Sequence, residues 1–144
     1  MKEIELVLLD WAEAAPRAMP LRERVFVVEQ GVPMEMELDE YDPLSRHALA
    51  LSRDHHVLAT GRLLPDGHIG RMAVDAAWRG RGVGGLVLEA LVEEAWRRNL
   101  REVVLNAQVS AIDFYRRHGF VAEGDTFMDA GIVHRAMRRR RSDA

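Results

Sequence analysis

An apolar strand that runs through clustered glycines straight into a long amphipathic helix leaves a chain few folds to choose from. Here the strand is residues 68–74, the glycines are Gly80, Gly82, Gly84 and Gly85, and the helix starts among them. Such a turn leaves the first backbone N–H groups of the helix unpaired and pointing into the loop. Glycines let that loop curl closely around a ligand, and the positive end of the helix favours an anion. Arg79 and Arg81 add charge beside it, which suits a pyrophosphate better than a carboxylate.

Gly80-x-Gly82-x-x-Gly85 also matches a dinucleotide-binding fingerprint. That reading needs a following strand ending in Asp or Glu and a second half-domain behind it. The next strand candidate, Val103-Val104-Leu105, ends in Asn106, and only a short remainder follows. No Gly-Lys-Ser/Thr occurs, so a P-loop is excluded.

The rest of the chain supplies a scaffold for this unit. Residues 4–9 alternate and then turn apolar, a first strand, and Asp10 stands where a helix cap belongs. Pro16 and Pro20 predict a short helix, a break near Pro20, and a second helical piece over 21–29. The acidic stretch up to Pro43 reads as a loop. Residues 47–51 and 57–64, separated by Arg53-Asp54-His55-His56, read as a hairpin, and Pro65-Asp66-Gly67 turns the chain into 68–74 as the next antiparallel strand.

In the helix after the glycines, Val83, Leu86, Val87, Ala90, Leu91, Ala95 and Trp96 share one face, and Asn99 ends it. Residues 102–107 then return as a strand parallel to 68–74, because a helix of this length is the usual crossover. Ser110 is placed to cap a short helix carrying Phe114 and Tyr115, which Gly119 ends. Residues 120–122 and 132–137 supply two last strands. The expectation is an α/β (α+β) domain: a mixed, mostly antiparallel sheet of about six to seven strands flanked by helices, with one parallel βαβ crossover at the phosphate motif.

At 144 residues the chain is expected to form one domain over 1–144. It has no cysteine, which excludes disulfides, thiolate metal sites and a cysteine nucleophile, and fits a cytoplasmic location. Its N-terminus, Met1-Lys2-Glu3-Ile4-Glu5, lacks the apolar core of a signal peptide, and no run reaches membrane-spanning length. Net charge is −3, unevenly spread: Glu35, Glu37, Asp39, Glu40 and Asp42 crowd one segment, and Arg138 to Arg141 form a basic tail. Without interleaved aromatics that tail is read as a solvated, frayed terminus rather than a nucleic-acid site. The acidic segment, with Glu29, is read as a mouth that draws in a cationic substrate. His55 and His56 lack further ligands at metal spacing, so no metal is expected.

Arg79-x-x-Gly82-x-Gly84 after a strand resembles the acetyl-CoA pyrophosphate motif of the GNAT superfamily of N-acetyltransferases. Ala111-Ile112-Asp113-Phe114-Tyr115-Arg116-Arg117-His118-Gly119-Phe120 resembles that superfamily's A-x-x-x-Y-x-x-x-G-F segment. Arg24-Val25-Phe26-Val27-Val28-Glu29-Gln30 and Gly131-Ile132-Val133-His134 resemble its ElaA-like branch. The resemblance implies direct acetyl transfer from acetyl-CoA to a small-molecule or peptide amine, with no metal, nucleic acid or membrane involved and a homodimer compatible with it.

It also implies roles for residues. Gly80, Arg81, Gly82, Val83, Gly84 and Gly85, with Arg79, would hold the pyrophosphate. The strand edge at Met72, Ala73 and Val74 would pair with the pantetheine arm, with Phe114 and Gln108 nearby. Gln108 stands where the family often has Asn. Tyr115 would protonate the departing thiolate, since a phenol near pKa ~10 keeps its proton at neutral pH. A base must free the amine, and His134, His47 and Glu29 are the candidates. Arg24, Phe26, Gln30 and His47 would touch the substrate. The rival reading is a non-catalytic acyl-CoA-binding or protein-interaction module, with Phe114 and Tyr115 as core aromatics.

Overall fold

The apolar alternation of the first half builds a four-stranded antiparallel sheet in the computed structural model, which describes residues 4–142. Met1 to Glu3, the start of the polar N-terminal stretch, lie outside the described residues. The strands β1 (Glu5–Leu9), β2 (Arg46–Leu51), β3 (Val57–Leu63) and β4 (Ile69–Val74) lie side by side in chain order. A second antiparallel sheet has the order β5 (Glu102–Gln108), β7 (Ile132–Arg140), β6 (Val121–Asp129). The expected parallel neighbours, β4 and β5, meet at a single parallel bridge, His68 to Val104, and then part. The mixed α+β character holds, with seven strands flanked by helices and the parallel contact reduced to that bridge.

A bulge in β4 accompanies the parting. Thr60 pairs with Ala73 and Arg62 with Gly70, so Gly61 alone faces Arg71 and Met72. The extra residue bends its strand and increases the local twist. Arg71 carries the strain at φ +51°, a left-handed conformation that costs a side-chain-bearing residue free energy.

Helix α3 (Val83–Arg97) closes the core, burying Val83, Val87, Leu88, Leu91, Val92 and Ala95 against both sheets. It lies so close to β3 that Gly61 has no room for a side chain. A Cβ there would stand 2.5 Å from Met72 Sδ, 3.0 Å from Leu91 Cδ1 and 3.1 Å from Val87 Cγ1. Gly61→Ala should therefore cost about 1–3 kcal/mol by forcing α3 or the bulge to shift. Chemical denaturation should record it as a lowered midpoint, and an unchanged midpoint would refute this account of the bulge packing.

Several local expectations are corrected. Helix α1 (Trp11–Arg22) runs through both prolines and continues unbroken as a π-helical turn, Glu23–Glu29. Pro16 and Pro20 are four residues apart on its exposed face, so the carbonyls they leave unpaired are on the side open to water. Asp10 makes no cap bond; its carboxylate accepts from Arg46 Nη1 at 2.7 Å. The acidic segment folds into the short helix α2 (Met34–Glu37) and a 3-10 turn, Asp42–Leu44. Ser110 sits inside a 3-10 turn, Val109–Ala111, and does not cap α4 (Ile112–Arg117). The arginine tail is largely β7 itself, with Arg138 paired to Glu102 and Glu123 and Arg139 to Glu89.

Candidate active site

Where β4 and β5 diverge, they leave a cavity of about 650 Å³. Its walls combine Met72, Ala73, Val74 and Arg79 from the β4 side with Gln108 and Tyr115 from the β5 side. Phe26 and Gln30 of the π-helical segment and its end close one flank, and His134 of β7 the other. Gln108 Nε2 donates to Gln30 Oε1 at 2.9 Å, joining the two sides of the cleft.

Four expected residues lie elsewhere. Arg24 is exposed beside Asp75, on the wall of a separate depression with Trp78 and His55. His47 is buried beneath Trp11, with Nε2 2.9 Å from the Asp42 carbonyl, and lines no part of the cavity. Glu29 holds Arg79 in a two-pronged ion pair of 2.8 and 2.9 Å. Phe114 packs behind the cavity, its ring 5.0 Å from that of Tyr115.

The glycine turn adjoins the Val74 end of the cavity. Gly82 occupies the N-cap of α3 at φ +81°, a conformation glycine adopts without penalty, and Gly80 sits at φ +77°. The first intrahelical bond runs from Leu86 N to Gly82 O, so the N–H groups of Val83, Gly84 and Gly85 precede the ladder. Gly84 and Gly85 owe their lack of side chain to packing: a Cβ would meet Val74 Cγ2 at 3.1 Å in the first case and His118 Nε2 at 2.9 Å in the second. Both arginines of the turn are engaged within the protein. Arg79 Nε also donates to the Val74 carbonyl at 3.1 Å, and the Arg81 guanidinium stacks on Trp78 at 4.8 Å.

Tyr115 is almost fully buried, wedged edge-on between Phe114 and Phe120, and its hydroxyl has no hydrogen-bond partner among the described residues. Burial pushes its pKa up to about 12, so the phenol stays protonated across the working range of any enzyme assay. His134 is fixed differently. Its Nδ1 lies 2.7 Å from the Ile132 carbonyl, which can only accept, so the neutral ring carries its proton on Nδ1. Nε2 is left with its lone pair, and the ring is held in place by stacking on Phe127.

The sequence reading missed the buried ion network that forms one wall. Arg22 donates to Glu37 at 2.5 Å and to both oxygens of Asp42, Arg62 binds Asp39 and Asp42, and Arg71 binds Asp39 at 3.0 Å. Three of the five carboxylates of the acidic segment are thus neutralised by arginines. No local signal announces this, because the partners stand 15 to 32 residues apart. Two buried atoms remain unpaired in the network, Glu37 Oε2 and Arg62 Nε.

The network and His47 give acid stability two windows. Burial would raise Asp39 and Asp42, but hydrogen bonds and charge from Arg62 and Arg22 outweigh it and hold both below the ordinary 3.8. Their contribution is present above that value and lost as pH falls through the depressed folded pKa. Burial holds His47 below 6.5 against the pull of Asp42, so its contribution is present above 6.5 and declines as pH falls below it. Urea midpoints should therefore be level above pH 7, begin to drop below about 6.5, and drop further below about 4. A midpoint level down to pH 4 would contradict the neutral, buried state of His47.

Residues 16–141 match the family model described as an acetyltransferase (GNAT) domain. The chain is 38% identical over 125 residues to a Bacillus subtilis protein described as the uncharacterized N-acetyltransferase YjcF, covering 85% of this chain and 89% of that one. A Pseudomonas aeruginosa acyl-CoA N-acyltransferase superposes with a TM-score of 0.83 at 34% identity, covering 94% of this chain and 99% of that one. Escherichia coli ElaA superposes at 0.85 with 29% identity and the same coverage.

Proposed function

Because the chain belongs to the GNAT acetyltransferase family, we propose that it transfers an acetyl group directly from acetyl-CoA to an amine. The observation that carries this is a cleft with a buried, protonated phenol and an imidazole in its walls, adjoined at its Val74 end by a glycine-turn helix start. Acetyl-CoA would supply the activated thioester. The residues fit it: the N–H groups of Val83, Gly84 and Gly85 would hold the pyrophosphate, and the open edge of β4 from Met72 to Val74 would pair with the pantetheine arm. Arg79 would have to share or leave Glu29 and Val74 O to reach a phosphate, which makes Glu29 a partner of that arginine rather than a base.

An alkylammonium, with a pKa of about 10.4, must lose a proton before it can attack. His134 Nε2 is the basic lone pair best fixed to take it. On the other side of the reaction, Tyr115 would give its proton to the departing thiolate. The test is thiol release from acetyl-CoA with a pooled amine library, run beside calorimetry of coenzyme A binding. Release above the amine-free background supports the transferase. Binding without release with any amine would favour a non-catalytic module.

A further inference from the structure

One wall of the cavity is the network of paired arginines and carboxylates, and one arginine in it keeps an uncommitted donor that bears on what the acceptor looks like. Arg71 lines the cavity and its side chain is 28% exposed. Two of its three guanidinium nitrogens are committed: Nε donates to the Glu37 carbonyl at 3.0 Å, and Nη2 to the Met36 carbonyl and Asp39 Oδ2 at 3.1 and 3.0 Å. Nη1 has no acceptor among the described residues. Those bonds, with the bulge backbone at φ +51°, fix the guanidinium before any ligand arrives.

The neighbour across the wall is another arginine. Arg62 also lines the cavity, its side chain is 7% exposed, and its Nε has no partner. Asp39 serves both cations and, among the described residues, is the one carboxylate within 3.5 Å of Arg71. The unpaired Glu37 Oε2 is sealed, with its sister oxygen committed to Arg22. On the opposite lip, the β6–β7 hairpin brings Asp129 and His134 to the same cavity.

We infer that the acceptor is a small amine that also bears a carboxylate, held by Arg71 while its amino group faces His134 and Asp129. The inference rests on the transferase reading. A fixed guanidinium with a spare N–H pair matches a carboxylate, and the charge-assisted bond is among the stronger ones available. A phosphate of the cofactor does not account for it: Arg71 stands three residues before the end of β4, about 10 Å upstream of the turn. Anchoring α2 does not account for it either, since Nε and Nη2 already do that.

The test compares amino acids with their decarboxylated amines, namely phenylalanine with phenethylamine, tryptophan with tryptamine, and lysine with cadaverine, by thiol release from acetyl-CoA. In the wild type, KM for the acid should lie at least about 10-fold below that of its partner in one pair or more. In Arg71→Met that ratio should fall to about one, and Arg71→Lys should restore part of it. The ratio is taken within each variant, so a loosened α2 wall that raises both values leaves it unchanged. If Arg71→Met does not fold, a reduced ratio in Arg71→Lys serves in its place. Turnover with a wild-type ratio near one or reversed overturns the carboxylate and leaves the transferase standing. A ratio that survives the loss of Arg71 overturns this residue's role. No thiol from any member of the pairs overturns this proposal alone if the pooled amine library still releases thiol, and a silent library as well sinks the transferase reading with it.

Discussion

Tyr115→Phe should leave the fold and coenzyme A affinity almost untouched while turnover falls about 10²–10⁴-fold. The expectation follows from how the ring is held. Phe114 and Phe120 pack its edges and faces, and the hydroxyl bonds to nothing among the described residues, so phenylalanine keeps every contact that stabilises the protein. The hydroxyl lies at the cavity wall and holds no protein acceptor among the described residues, so removing it costs the fold little. The loss should appear in kcat rather than KM, because a thiolate exists only along the reaction path. With the pKa raised to about 12, Tyr115 itself should add no alkaline limb to the rate profile below pH 10. Turnover within about twofold of the wild type would remove Tyr115 as the acid. A collapse of cofactor affinity would make it a packing residue instead.

Gly82→Val should abolish most coenzyme A binding in a protein that still folds. At φ +81° a β-branched side chain is strained by roughly 1–2 kcal/mol or more, and the cheapest relief is to rotate the turn. That rotation should misalign the N–H groups of Val83, Gly84 and Gly85, which follow this left-handed cap and precede the helix ladder. Losing two charge-assisted bonds corresponds to an affinity drop of about 100-fold or more. Calorimetry against circular dichroism separates the outcomes. Unchanged affinity in a folded variant would mean that the turn does not hold the phosphates.

What could be read from the sequence was what local chemistry decides. The strand, glycine turn and helix are legible because φ, orphan N–H groups and apolar spacing act within a few residues, and the structure has all three at residues 69–97. Asn99, at φ +64°, ends its helix for an equally local reason. Pro20 misled because the cost of a mid-helix proline depends on where its ring points, which only tertiary placement decides. The acidic segment misled because Glu37 and Asp42 look solvated until Arg22, from another element, lies beside them. His47 was offered as a base by its side chain alone, and burial beneath Trp11 took it out of the cavity. The Arg71 bulge gives no signal at all, since nothing in Gly70-Arg71-Met72 marks an extra residue in a strand.

The single bridge at His68 and Val104 has a consequence for solubility. A protein with two sheets instead of one carries four unpaired strand borders, and each is a template on which a foreign strand can grow. Two of these, on β4 and β5, face each other across a gap flanked by the π-helical segment on one side and the β6–β7 hairpin on the other. A slender, amide-bearing chain can thread such a gap, whereas the flank of another folded sheet, with neighbouring strands about 4.8 Å apart and side chains on both faces, cannot enter it. Burying the borders inside a cleft therefore lets the molecule keep hydrogen-bonding backbone open for a ligand without offering it to its own copies, and leaves only β1 and β6 to be guarded against self-association.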